Sequence, residues 1–167
     1  MDESTSAQAL PLYVLIADEA VAKLMALPAP GAELVEVHVM TDPEAHTREA
    51  AMHRDAHGRR EGGDGSGVRS SGHATTSAGD SDRHLEAERF AKRVAEDLLR
   101  RFRAKQFDRL RLVAAPRFLG LLRRQLDSEV GAVVEDEQAK DLSHLDAAAL
   151  TAHLFPEAGR AGALRLP

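Results

Sequence analysis

Histidine is the side chain best suited to bind a metal or move a proton near neutral pH. Five of the chain's eight histidines, His46, His53, His57, His73 and His84, fall in or beside one stretch. On a helix, His53 and His57 would share a face, a spacing that can hold a metal ion. No carboxylate motif accompanies them, so the expectation is no metal and no cofactor, with the histidines part of a hydrophilic segment. The chain has no cysteine. That removes disulfide scaffolds, thiolate zinc sites and cysteine nucleophiles together. Within the same stretch lies Gly62-Gly63-Asp64, and no nucleophile–base pair is supported by spacing around it.

The second chemistry-bearing group is cationic. From Arg89 to Arg124 there are twelve basic and three acidic residues, a net +9, while the chain as a whole carries −5. Arg100, Arg101, Arg103, Lys105, Arg109, Arg111, Arg123 and Arg124 are candidate contacts to the phosphates of ribosomal or transfer RNA. Phe90, Phe102, Phe107 and Phe118 fit core positions, so base stacking is not supported. A solvated helix face explains the charges equally well. Replacing Arg100, Arg101 and Arg103 with glutamine is expected to cost little stability, as for exposed side chains. Arg117 and Phe118 stand where a strand gives way to a helix, an edge where α/β sheets bind ligands and helix amides attract anions. Alternatively, Phe118 is core and Arg117 a solvated neighbour. Lys140, Asp141 and His144 could line the same edge, or Asp141 and Ser143 could shape a turn and cap a helix.

The elements that must position these residues follow from periodicity. Residues 12–17 are a short apolar run of β-formers, read as a buried strand. Residues 20–27 read as a strand ended by Pro28, Pro30 and Gly31, and 34–40 as a third, with Glu36 and His38 opposed to Val35, Val37 and Val39. From about 41 to 82 no hydrophobic period is visible, and glycine and serine carry too little apolar surface to offset ordering entropy. A short helix near 49–57 is one option within it. Then Leu85, Ala87, Ala91, Val94, Ala95, Leu98, Leu99 and Phe102 form a helical stripe with Phe90 beside it, capped at Ser81 or Asp82 and ending near Lys105. Residues 107–115 alternate as a strand, with Leu110, Leu112 and Ala114 opposed to Arg109, Arg111 and Val113. Pro116 opens a helix over 117–126, 130–135 reads as a strand, and Ser143 begins a helix over 145–154 ended by Pro156. Three strands, a loop, then α-β-α-β-α predicts an α/β fold with one mixed sheet.

The segment Asp108-Arg109-Leu110-Arg111-Leu112-Val113-Ala114-Ala115-Pro116-Arg117-Phe118-Leu119-Gly120, with Lys140-Asp141-Leu142-Ser143-His144-Leu145 downstream and Glu86-Ala87-Glu88-Arg89-Phe90-Ala91 upstream, resembles the bacterial host attachment protein family, also described as bacterial relatives of archaeo-eukaryotic release factors. The resemblance spans roughly residues 12–154. It implies the ribonuclease H-like fold of the release-factor middle domain. That domain carries a Gly-Gly-Gln loop tip that assists peptidyl-tRNA hydrolysis. Here Asp64 follows Gly62-Gly63, which sets a negative charge where a neutral amide would face RNA, so the hydrolytic role does not carry over.

Length and composition bound the rest. At 167 residues with 43% hydrophobic and 29% charged residues, the chain suits one globular domain. The expected organisation is a disordered tail over 1–10, one domain over 11–156 with a flexible Gly-rich loop near 41–82, and a tail over 157–167. The acidic, polar start lacks the features of a secretory signal, and no apolar run reaches membrane-spanning length, so the expected location is the cytoplasm. Three functions are open. The first is a non-catalytic, translation-associated factor binding the ribosome or RNA. The others are a peptidyl-tRNA hydrolase-like enzyme acting through residues 58–73 and an interaction protein supporting attachment indirectly.

Overall fold

The computed structural model describes residues 10–45, 47 and 75–157. Strand β1, Leu12–Ala17, is buried at every position. With side chains alternating between faces, Tyr13, Leu15 and Ala17 enter one core and Leu12, Val14 and Ile16 the other. A central strand covered on both faces needs this unbroken apolar run. Asp18 then turns the chain, its Oδ1 accepting hydrogen bonds from the amides of Ala20 (2.6 Å) and Val21 (2.8 Å). Strand β2, Val21–Leu27, returns antiparallel, pairing Ala17 with Ala22 and Leu12 with Leu27. Gly31 supplies the positive φ of 82° in the next turn. Strand β3, Val35–Thr41, lies antiparallel to β2 with a register shift at Leu24/Met25.

Helix α1, Thr75–Arg103, leads into β4, Arg109–Ala114, which pairs parallel with β1. Helix α2, Pro116–Gln125, and the helical turn α3, Ser128–Gly131, precede β5, Val134–Ala139, which is parallel to β4. Helix α4, Ala147–Leu154, closes the described fold. The result is an α/β protein with an open, mixed five-stranded sheet in the order β3-β2-β1-β4-β5.

Helices α1 and α2 cover one face. Phe90, Ala91, Val94 and Leu98 from α1 meet Phe118, Leu119 and Leu122 from α2, with the Phe90 and Phe118 rings 5.6 Å apart. Helix α4 covers the other, burying Leu150 against Val14, Ile16 and Leu34. Thr151 ties it down: its Oγ1 accepts from the Leu34 amide (2.8 Å) and donates to the Ala147 carbonyl (2.7 Å).

Helix α1 ends in a Schellman motif. The Gln106 amide donates to the Arg101 carbonyl, and the Lys105 amide to that of Phe102. Lys105 takes the left-handed position at φ 56°.

Four expectations need correction. Helix α1 is already helical at Thr75, so Ser81 and Asp82 lie inside it and do not cap it. Leu85 is an exposed member of the proposed stripe, 46% accessible. The strand expected over 130–135 is displaced: Asp127 accepts from the Glu129 amide and caps α3, so extension starts only at Val134. The cap of α4 is Asp146, which accepts from the Ala149 amide (2.8 Å), and not Ser143.

Candidate functional site

The carboxyl ends of β1, β4 and β5 share one edge of the sheet. This edge brings together Asp18 and Glu19, the 115–118 junction and the 140–144 loop. The Ala115 amide donates to the Ala17 carbonyl at 3.0 Å and fixes the junction beside β1. No side chain caps the first turn of α2. Phe118 is fully buried core. Arg117 reaches outward and pairs with Glu19, Nε to Oε1 at 3.4 Å. Two of the three segments that carry the family resemblance, 108–120 and 140–145, therefore converge, although the chain between them passes through α2, α3 and β5.

Ser143 joins the edge together. Its Oγ lies 2.5 Å from Asp18 Oδ2 and 2.8 Å from Asp141 Oδ1, and its amide donates to Asp141 at 3.3 Å. A hydroxyl has one proton to donate, so it serves one carboxylate at a time. Ser143 is buried, and the arrangement clips the loop after β5 onto the turn after β1. Lys23 adds a second tie, its Nζ donating to the Leu145 carbonyl at 3.2 Å. Lys140, Asp141 and His144 are exposed. Among the described residues no hydrogen bond links His144 to Ser143, so the hydroxyl is engaged by carboxylates and not by an imidazole base.

Most arginines of the basic block face carboxylates of the same chain. Arg100 and Arg101 both pair with Asp97, Arg101 through Nε at 2.7 Å. Arg103 pairs with Glu129 at 2.7 Å, and Arg109 with Glu135. Arg123 donates to Glu137 at 2.6 Å, and Arg124 lies 3.6 Å from Glu88. Glu129 raises the affinity of Arg103 for its proton, first by hydrogen bonding and then by its charge; Glu135 does the same for Arg109. Asp97 is buried at 6% accessibility. Removing Arg100 and Arg101 together would leave that carboxylate without partners, so the triple glutamine replacement is not the mild change expected from sequence. Lys105 is exposed and serves as the left-handed residue after α1.

Gly62, Gly63 and Asp64, with His46, His53, His57 and His73, lie outside the described residues. His84 is 3.5 Å from Glu88. Among the described residues no group of three or more histidines and carboxylates could hold a metal ion, and no helix is long and apolar enough to cross a membrane.

Sequence reasoning missed Asp18, whose partner Ser143 is remote in the chain, and Asp42, which is buried and held by Arg93 at 3.3 Å. The Asp-Glu pair directly after an apolar strand was the available signal for the first.

These features define a small α/β protein with a polar, cross-linked edge at the carboxyl ends of its parallel strands. Residues 13–154 match the family described as "Protein required for attachment to host cells", and the chain belongs to that family. No curated protein matches it.

Proposed function

We propose that the protein is a non-catalytic binding protein in host attachment that engages its partner at the carboxyl edge of the sheet. One observation carries this reading: two distant segments meet there and are locked by Ser143 between Asp18 and Asp141. Asp18 and Asp141 are engaged in backbone turns, which suits them to shape a surface. Arg117, Lys140 and His144 are left exposed on it. The family match supports the attachment role. The test is complementation of a deletion strain with an Arg117→Ala, Lys140→Ala, His144→Ala variant. Exposed changes usually cost within ~0.5 kcal/mol each, so the variant should fold and attachment should fall. Normal attachment by the variant would sink the edge as the working surface.

A second reading is a translation-associated factor that binds the ribosome or RNA. The strand order β3-β2-β1-β4-β5, three antiparallel strands followed by two parallel ones, favours it, since it is in keeping with a ribonuclease H-like, release-factor-related sheet. The arginine pairings weigh against it, because each paired cation already has a carboxylate. Sedimentation of lysate through sucrose at low salt decides it. Protein found only in the free fraction, in growing and starved cells alike, excludes stable ribosome binding.

A further inference from the structure

At the opposite end of the sheet, where β1, β4 and β5 begin, lies a cleft of about 530 Å³. That volume falls within the range of small-molecule sites. Leu12 and Leu27 contribute apolar wall at the strand ends, while Pro28, Pro30 and Pro156 stiffen the rim. Phe155, just past α4, closes one side. Proline fixes backbone φ, so such a rim is largely pre-formed and loses little freedom when filled.

Arg111 gives the cleft its chemistry. Its guanidinium lies over the Phe155 ring, 5.1 Å from the centroid. It makes no hydrogen bond among the described residues, and its buried Nε has no partner. The nearest carboxylate oxygen, on Glu135, is 3.9 Å from that Nε, beyond hydrogen-bond reach. Glu135 is already committed to Arg109, which donates to it through Nε and Nη2. Two cations thus share one carboxylate, and the inner one, still partly open to the cleft at 30% exposure, keeps a buried Nε–H that no described group accepts. Glu135 does not line the cleft, and the acid that does, Glu157, is exposed at the rim. Buried polar groups are normally satisfied, and the planar complement of a guanidinium fork is a carboxylate.

We propose that this cleft binds a small molecule with a flat apolar body and a single carboxylate, the body between the prolines and Phe155 and the carboxylate on Arg111. The site is separate from the carboxyl edge and does not depend on the attachment reading.

The test is a titration of the ¹⁵N-labelled full chain with 2-naphthoate, followed by amide chemical shifts, with 2-naphthol as the uncharged control. Saturable shifts are expected at Leu12, Gly31, Arg111 and Phe155. Arg111→Gln should weaken 2-naphthoate by about tenfold or more, the scale of a hydrogen bond to a charged group, and 2-naphthol should bind the wild type comparably more weakly. Arg111→Lys, which keeps the charge and loses the fork, should fall between; it also serves if the glutamine variant does not fold. The proposal is overturned by shifts that do not saturate or that map elsewhere. It is equally overturned by 2-naphthol binding as tightly as 2-naphthoate, or by unchanged affinity in a folded Arg111 variant.

Discussion

The two faces of the sheet draw on the same strands yet are covered very differently. Beneath α1 and α2 lie three fully buried phenylalanines, Phe90, Phe107 and Phe118, with Phe107 stacked 4.9 Å from Tyr13. The other face is covered by α4 alone, a two-turn helix whose only buried residues are Leu150 and Thr151. Strand β1 is apolar toward both, so the depth of each core is set by the covering helices and not by the sheet. The deep face is suited to hold the fold. The shallow face leaves the Arg111 cleft at the carboxyl end of α4, while the Ser143 clip lies just before its start.

The largest test of this contrast is Phe118→Ala against Leu150→Ala. The first removes a ring from the deep core and should cost about 3–5 kcal/mol. The second should cost about 2 kcal/mol, the low end for leucine, because a single short helix can settle into the space. Urea unfolding of both variants measures the difference, and an equal or larger loss at Leu150 would erase the distinction. A smaller effect is expected at Asp146→Ala, which removes the cap of α4 at about 1 kcal/mol. If α4 is as marginal as its length suggests, amide exchange in 147–154 should accelerate while the Phe90 and Leu98 amides keep their protection. Uniform acceleration would mean that the two faces unfold as one. The smallest effect has the opposite sign. Lys105→Gly relieves a left-handed backbone position and should raise stability by up to about 1 kcal/mol, read as a higher midpoint of thermal unfolding.

The deep face was the more legible of the two in the sequence. The run 12–17, the alternation of Leu110, Leu112 and Ala114, and Pro116 at a helix start are local signals that tertiary packing reinforces. The edges were harder to read. β5 contains Glu135, Asp136 and Glu137 and carries little hydrophobic period, since an edge strand is half solvated and charge there is common. The first turns of α1 run past any apolar stripe that could mark them. Ser143 and Asp146 are both good capping types, and spacing alone does not reveal that Asp18 takes the hydroxyl of one. The pairing of the +9 block was hidden for a related reason: Glu129, Glu135 and Glu137, which face Arg103, Arg109 and Arg123, sit outside the window that defined it. Charge density along a chain says little about charge density in space.

The parallel pairing of β1 with β4 also governs the order of folding. Tyr13 meets Ala26 across a tight turn but must wait for Leu110. The first three strands can zip as they are synthesised, whereas the central seam closes only after α1 and β4 have been made. High sequence separation of contacts slows folding, and a strand sticky on both sides is exposed in the meantime to association with other chains. The slow step should therefore be capture of this early meander by the later half of the chain, and the yield of native protein should depend on how soon that half arrives.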